Sequence, residues 1–452
     1  MSSTTKLHSE GGVAAVPEIE TRTVKRVMMH LIPFLMCCYF FAWLNRINVS
    51  FGALQMNKAL GLTPADYGLA AGLFFVTYAF LEVPSNLMLH KVGARRWIAR
   101  IMISWGIIAS CMALVKGSLS FDIVRMLLGA AEAGFYPGIL FFLTLWIPSK
   151  YRAQTYSFFL CAIPITTIIG APLSVHILTG FNGIAGMAGW QWMFIIEGLP
   201  TVIIGAVVLF YLQDKPSEAK WLAADESKWL ISTLAAETAT IQSRKSHSVM
   251  SALSNPTILL MSLFYFSNVL LITGETFFLP LIMKGLGYSP HEIGNFLIIP
   301  NVLAFGGMLW WGRRSDKKKE RVGHAALSNL VASIGLIVAI LVPDPYVRAA
   351  SICISWATIL CTVVPFWAIP STFLSGSAAA GGIGAISAMG VSGGFVGNWY
   401  VGYLKTFTGG YEIPLLSIAG FGVVISVVFW IVGLQQQRAL DAANVIADAR
   451  TA

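Results

Sequence analysis

The sequence predicts an all-α membrane protein in which twelve transmembrane helices form two six-helix bundles around a central cavity. Three observations predict it. Of 452 residues, 56% are hydrophobic and only 11% charged, where a water-soluble domain carries about 25% charged residues. Apolar runs, each long enough to cross a bilayer core as a helix, recur along the chain from residue 28 to residue 436. The longest polar interruption, residues 213–255, falls between the sixth and the seventh run.

Polar, glycine and proline punctuation places the spans near 28–53, 66–89, 97–115, 121–146, 154–178 and 191–212, then near 256–283, 289–312, 323–342, 347–371, 377–405 and 412–436. Twelve is even, so both chain ends share one side. That side holds 23 of the 30 Lys and Arg, the opposite side holds five, and Arg46 and Arg125 lie inside spans. Short cytoplasmic loops carry the Lys/Arg excess, which orients both termini toward the cytoplasm. The net charge of +9 is thereby accounted for without a nucleic-acid partner.

The expected organisation is a disordered cytoplasmic N-terminal tail (1–27), a first bundle (28–212), a cytoplasmic inter-bundle loop (213–255), a second bundle (256–436) and a cytoplasmic C-terminal tail (437–452). Within the loop, Trp221 to Leu234 has helical spacing of apolar residues and is expected along the membrane surface. The basic turns "HKVGARRW" and "GRRSDKKKERVGH" follow the second and eighth spans, a weak internal repeat. Corresponding halves of this kind build many secondary transporters, with a site near the midplane between them.

Other function classes find little support. The six cysteines lie in apolar stretches without zinc or redox spacing, and the polar N-terminus lacks the apolar core of a secretory signal peptide. The glycine run "SAAAGGIGAISAMGVSGG" lies within a span and lacks the strand-turn-helix setting of a dinucleotide site. No phosphate loop, metal cluster or nucleophile with its base is legible, so neither an enzyme nor a cofactor is expected.

Chemistry is concentrated in "RMLLGAAEAGFYPG". Arg125 and Glu132 are seven residues apart, two helical turns, so they share a face about 10 Å apart along the axis. A charge at mid-membrane costs roughly 3 kcal/mol, so such residues face a wet cavity or a partner. Gly129, Gly134 and Gly138 suit close helix approach, and Pro137 predicts a kink. Arg46 is the second cation, and an ion pair with Glu132 is its structural alternative. Either arginine can grip a carboxylate through two parallel N–H···O bonds. Glu132 is the expected proton carrier: desolvation favours its protonated form and a nearby arginine its carboxylate, so an anion arriving at the arginine favours protonation.

Taken together these features resemble the major facilitator superfamily, and within it the anion:cation symporter family of bacterial organic-acid carriers. The resemblance rests on "NRINVSF", "VPSNLMLHKVGARRWIAR", "RMLLGAAEAGFYPGILFFLTLWIP", "GWQWMFIIEGLP", "DKPSEAKWL" and "GRRSDKKKER", in that order across residues 25–436. It implies inward movement of a small organic anion with protons by alternating access, at the bacterial inner membrane, by a monomer without cofactor. It implies anion binding at Arg46 and Arg125 and proton coupling at Glu132. Many bacterial members carry an aspartate where this chain has Asn45, so one proton per cycle through Glu132 is the simpler expectation. Glu275, unusual at its place in span 7, either replaces the lost carboxylate or faces the outer water.

Tyr78, Gln154, Thr166, Asn268, Trp367 and Ser387 are expected to furnish the cavity, with Asn45 beside Arg46. Tyr78 and Trp367 match the aromatic lining that the resemblance implies. Glu82 and Glu197 are expected to bond backbone or the basic turns. The turn with Arg95 and Arg96 is expected to gate the cytoplasmic side against Arg313 and Asp316, with His90 where the superfamily has an acid. The rival readings are a carrier-like nutrient sensor and an organic-anion exchanger or exporter.

Overall fold

The computed structural model describes residues 15–242, 256–318, 320–370 and 376–451, and within them the chain is helical with short turns. The first bundle comprises α1 (Ala15–Ala59), α2 (Pro64–Val92), α3 (Ala94–Cys111), the broken spans α4/α5 (Ser118–Glu132, Phe135–Thr144) and α6/α7 (Ser149–Leu160, Ala162–Gly180), and α8 (Gly189–Tyr211). After the linker helix α9 (Ala224–Gln242) come α10 (Pro256–Gly285), the broken span α11/α12 (Pro290–Phe296, Ile298–Lys318), α13 (Val322–Leu341), α14 (Pro345–Ala368), α15 (Gly376–Thr408) and α16 (Glu412–Thr451). Eleven spans among the described residues are long and apolar enough to cross a membrane. The twelfth crossing is α15, packed against α2 and α10.

Local chemistry sets several helix starts on the face opposite the termini. Thr63 accepts from the Asp66 N–H and Ser289 from the Glu292 N–H, each in a reciprocal capping box, and Asp344 accepts from the N–H groups of Tyr346 and Val347. In all three a proline occupies the first helical position, where its missing N–H costs nothing. Large apolar side chains such as Phe80, Leu114 and Phe210 stand exposed on the perimeter, as lipid-facing residues do.

Two expectations about the termini and linker are corrected. Residues 15–27 continue α1 as helix, so the part of the tail within the described residues is ordered; residues 1–14 lie outside them. The linker contains a helix over Ala224–Gln242, starting and ending later than the spacing predicted, and residues 243–255 lie outside the described set. The linker docks on the first bundle. Arg22 bonds Asp225 and Glu226, Arg26 bonds Glu226 at 2.6 Å, and Arg152 bonds Glu237 at 3.0 Å. Trp221 stacks on His30 and Trp146 at ring distances of 4.0 and 5.6 Å. The C-terminal tail likewise continues α16 as helix to Thr451.

The bundles meet most closely away from the termini. Tyr67 donates to the Phe277 carbonyl at 3.0 Å, Lys284 to the Leu54 carbonyl, and Thr179 pairs with His291 at 3.2 Å. On α2 and α15, Gly68 faces Gly402, and a β-carbon on Gly68 would lie 2.9 Å from the Gly402 Cα. Glycine is required for that approach.

Candidate functional site

A cavity of about 130 Å³ lies between the bundles. Its wall takes Tyr39, Trp43 and Arg46 from α1; Phe74, Phe75, Tyr78 and Glu82 from α2; Tyr136 from α5; Tyr265, Asn268 and Thr273 from α10; Trp367 from α14; and Ser387 and Val391 from α15. The lining is mainly apolar and rich in aromatic rings, and its charged members among the described residues are Arg46 and Glu82.

Arg46 forms an ion pair with Glu132, whose side chain is only 2% exposed while that of Arg46 is 16% exposed. The guanidinium also lies over the rings of Trp43, Phe74 and Tyr78, 5.3 to 5.6 Å from their centroids. Its Nε and the second Glu132 oxygen have no hydrogen-bond partner. Unspent donors and acceptors beside a cavity are what an exchangeable ion pair requires: an incoming carboxylate can take the guanidinium while the glutamate takes a proton.

The span carrying Glu132 breaks directly after it. Ala133 is extended in ψ (129°) and Gly134 is left-handed (φ +84°). The kink expected from Pro137 therefore falls at the carbonyl four residues earlier, the group a proline ring and its missing N–H disrupt. Gly134 serves where other residues would be strained.

Arg125 is fully enclosed. Its Nε donates to the Ala70 carbonyl at 3.3 Å and its Nη2 to the Ala71 carbonyl at 3.2 Å, with the guanidinium 4.8 Å from the Phe74 ring. It fastens α4 to α2 and is not among the residues that line the cavity. Asn45 is also turned away: it donates to the Thr201 hydroxyl of α8 at 2.8 Å and to the Phe41 carbonyl at 3.0 Å. Asn45 thus faces α8, while Arg46, about 100° further round the helix, faces the cavity. Gln154 is exposed on α6, nine residues and about two and a half turns before cavity-lining Ile163. Thr166 is buried and donates to the Ala162 carbonyl at 2.7 Å.

Tyr78, Asn268, Trp367 and Ser387 do line the cavity, as does Val391. Asn268 donates to Asn329 at 3.0 Å. Ser387 donates to Glu82 at 3.2 Å across the bundles, so Glu82 is a cavity residue and not a partner of the basic turns. Glu197 accepts from Ser174 at 2.6 Å within the first bundle. Glu275 is 4% exposed and its Oε1 lies 2.6 Å from the Ser355 hydroxyl oxygen, which excludes the expected exposure to outer water.

The predicted gate falls partly outside the described residues. Among the described residues no ion pair joins the bundles, and Arg95, Arg96 and Arg313 form none; the Asp316 side chain lies outside the described residues. The Arg95 backbone N–H donates to Asp214 at 2.9 Å, so the linker supplies the carboxylate at this turn. His90 instead lies against Phe141, with the rings tilted by 41° and their centroids 3.9 Å apart.

Sequence reasoning missed Tyr39, Trp43, Tyr136, Tyr265 and the cavity role of Glu82. A signal existed for most of them. Tyr39 and Trp43 precede Arg46 by seven and three residues, and Glu82 follows Tyr78 by four, spacings that share a helix face.

Membrane-spanning helices in two bundles around a cavity lined by charged and aromatic side chains define a membrane transporter that takes a small-molecule substrate. The description "Major Facilitator Superfamily" matches residues 35–398, and the chain belongs to that family. It is 42% identical to a "Putative tartrate transporter" of Agrobacterium vitis, over 91% of this chain and 94% of that one. It is 35% identical to a "Quinolone resistance transporter" of Acinetobacter baumannii, over 91% of this chain and 96% of that one. A bacterial homologue of the human lysosomal transporter Spinster, solved in an inward-facing, occupied conformation, shares the fold at a TM-score of 0.71 and 16% identity, covering 90% of this chain and 97% of that one. The homologues are transporters, and the chain is not an enzyme.

Proposed function

We propose that the protein is a proton-coupled symporter of a small organic carboxylate, such as tartrate, a related sugar acid or an aromatic acid. It sits in the bacterial inner membrane with both termini cytoplasmic and works by alternating access. The observation that carries this reading is the Arg46–Glu132 ion pair at the wall of the central cavity. A substrate carboxylate competes with Glu132 for Arg46. Glu132, left buried without its cation, then takes up a proton, because an uncompensated charge there is far costlier than the neutral acid. Anion and proton thus enter the occupied state together, and neither is stable there alone. The tartrate transporter relatives support the carboxylate class, and the 23-to-5 asymmetry of Lys and Arg supports the orientation.

The test is uptake into proteoliposomes under an imposed inward proton gradient, across tartrate, sugar acids and aromatic acids. The expected result is accumulation that collapses when the gradient is dissipated. Ligand-dependent thermal stabilisation with no flux supports a sensor instead. Export is the second reading, favoured by the aromatic lining together with the quinolone resistance relative; net outward flux under the same gradient identifies it.

A further inference from the structure

We propose that Glu275 is a second proton-carrying group, set in the seal that joins the two bundles away from the termini. The proposal rests on the proton-coupled reading above and extends it from one titrating carboxyl to two.

Glu275 lines a small separate cavity of about 20 Å³ between the bundles, walled by Ile47, Ser50 and Phe51 of α1, Thr167 of α7, and Leu279 and Trp356 of the second bundle. That volume suits about one water molecule. No other titratable or charged side chain lines it from α1, α7, α10, α12 or α14 among the described residues. Arg46, the neighbour of Ile47 along α1, is engaged with Glu132 in the central cavity. From α13 the nearby group is the Ala332 carbonyl, and from α16 the apolar Ile418 packs beside Gly274. A carboxylate in this place has no cation to compensate it.

The hydrogen bonds call for the neutral acid. The Ser355 hydroxyl oxygen lies 2.6 Å from Glu275 Oε1 and 2.9 Å from the Ala332 carbonyl. A hydroxyl has one hydrogen to give. If Ser355 donates to Ala332, the hydrogen between Ser355 and Glu275 has to come from the carboxyl group. Protonated Glu275 satisfies both bonds, whereas ionised Glu275 leaves one of them without a hydrogen. The second carboxyl oxygen has no partner. The hydroxyls of Ser50 and Thr276 give their hydrogens to the carbonyls of Ile47 and Ile272, each at 2.7 Å. They therefore offer only lone pairs to the cavity, which suits an acid proton or one water bridging to it.

In the sealed arrangement Glu275 is thus the acid form. When the seal opens, the carboxylate meets water on that face and takes up a proton, and the neutral acid lets the seal close dry. Thr276 lines both the small and the central cavity, so the proton leaves as a hydrated proton toward the central cavity. The bare carboxylate that remains favours reopening. No other bond changes.

Infrared spectra of the purified full-length protein in lipid test this without a known substrate. The protonated-carboxyl band at neutral pH is expected to lose intensity on Glu275→Gln, in the wild-type and in the Glu132→Gln background alike, while buried Glu197, which also meets a serine hydroxyl, contributes equally to each spectrum. Persistence of that band unchanged in Glu275→Gln overturns the proposal. Ser355→Ala keeps the carboxyl and removes its hydrogen-bond partner, so the band is expected to shift; an unshifted band also contradicts it. In proteoliposomes with the membrane potential held at zero, each coupled proton multiplies accumulation of radiolabelled tartrate about tenfold per pH unit. Wild type is expected near a hundredfold (~100) and Glu275→Gln near tenfold (~10) on that arithmetic. Equal accumulation in both overturns the second proton, whereas wild-type accumulation indifferent to pH overturns the symport reading itself.

Discussion

Arg46 and Arg125 are the same residue type in the same bundle, and their surroundings divide them. Arg46 is partly open to the central cavity, ringed by aromatics and paired with a glutamate that has an oxygen to spare. Arg125 is closed off completely, gives one hydrogen to each of two main-chain carbonyls of the neighbouring helix and keeps an Nη1 without a partner, outside the lining of the central cavity. A buried cation in a membrane helix is therefore not a binding site by virtue of its charge. On the proposed function, access and an exchangeable partner make it one, and a cation bonded to backbone is a fastening.

The difference is broken most severely at the partner of Arg46. Glu132→Gln is expected to abolish the share of gradient-driven accumulation that Glu132 couples, about tenfold per pH unit, while sparing counterflow exchange, measured with labelled substrate; unchanged accumulation removes Glu132 from the coupling. Arg46→Lys keeps the charge and loses the planar fork, and substrate affinity is expected to fall about ten- to hundredfold, the value of a charge-assisted hydrogen bond of about 1.5–3 kcal/mol. Arg125→Ala is expected to leave affinity within about twofold while costing roughly 2–3 kcal/mol of stability, read as a lowered melting temperature in detergent. An affinity loss there matching that of Arg46 erases the distinction between the two arginines. Gly68→Val is expected to hold the bundles apart opposite the termini, raising the labelling of Lys284→Cys by an impermeant thiol reagent in a background without the six native cysteines. Smallest is Ser387→Ala, which removes one hydrogen bond to Glu82 and is expected to change affinity by no more than about fivefold.

The helices were legible because lipid enforces a simple code. Apolar length and polar punctuation place α2 at Pro64–Val92 and α10 at Pro256–Gly285, close to the spans read near 66–89 and 256–283. The charge pair Arg46 and Glu132 was legible too, since few charges tolerate mid-membrane. What failed was direction. Asn45 and Arg46 are neighbours in sequence and face different helices, and the depth of Arg125 behind α2 depends on how α2 packs against α4, which the sequence of either helix alone does not encode. The order of residues 15–27 was hidden for a similar reason: Arg22 and Arg26 find Asp225 and Glu226 some 200 residues away. The cavity aromatics Tyr39 and Trp43 were within reach, through the spacing they share with Arg46.

The account rests on substrate and Glu132 competing for one guanidinium. Calorimetric titration of the protein with its substrate, repeated in buffers of different ionisation enthalpy, counts the protons taken up as the anion binds. The account predicts about one proton absorbed per anion by wild type and none by Glu132→Gln. Binding heats independent of buffer in the wild-type protein would contradict it.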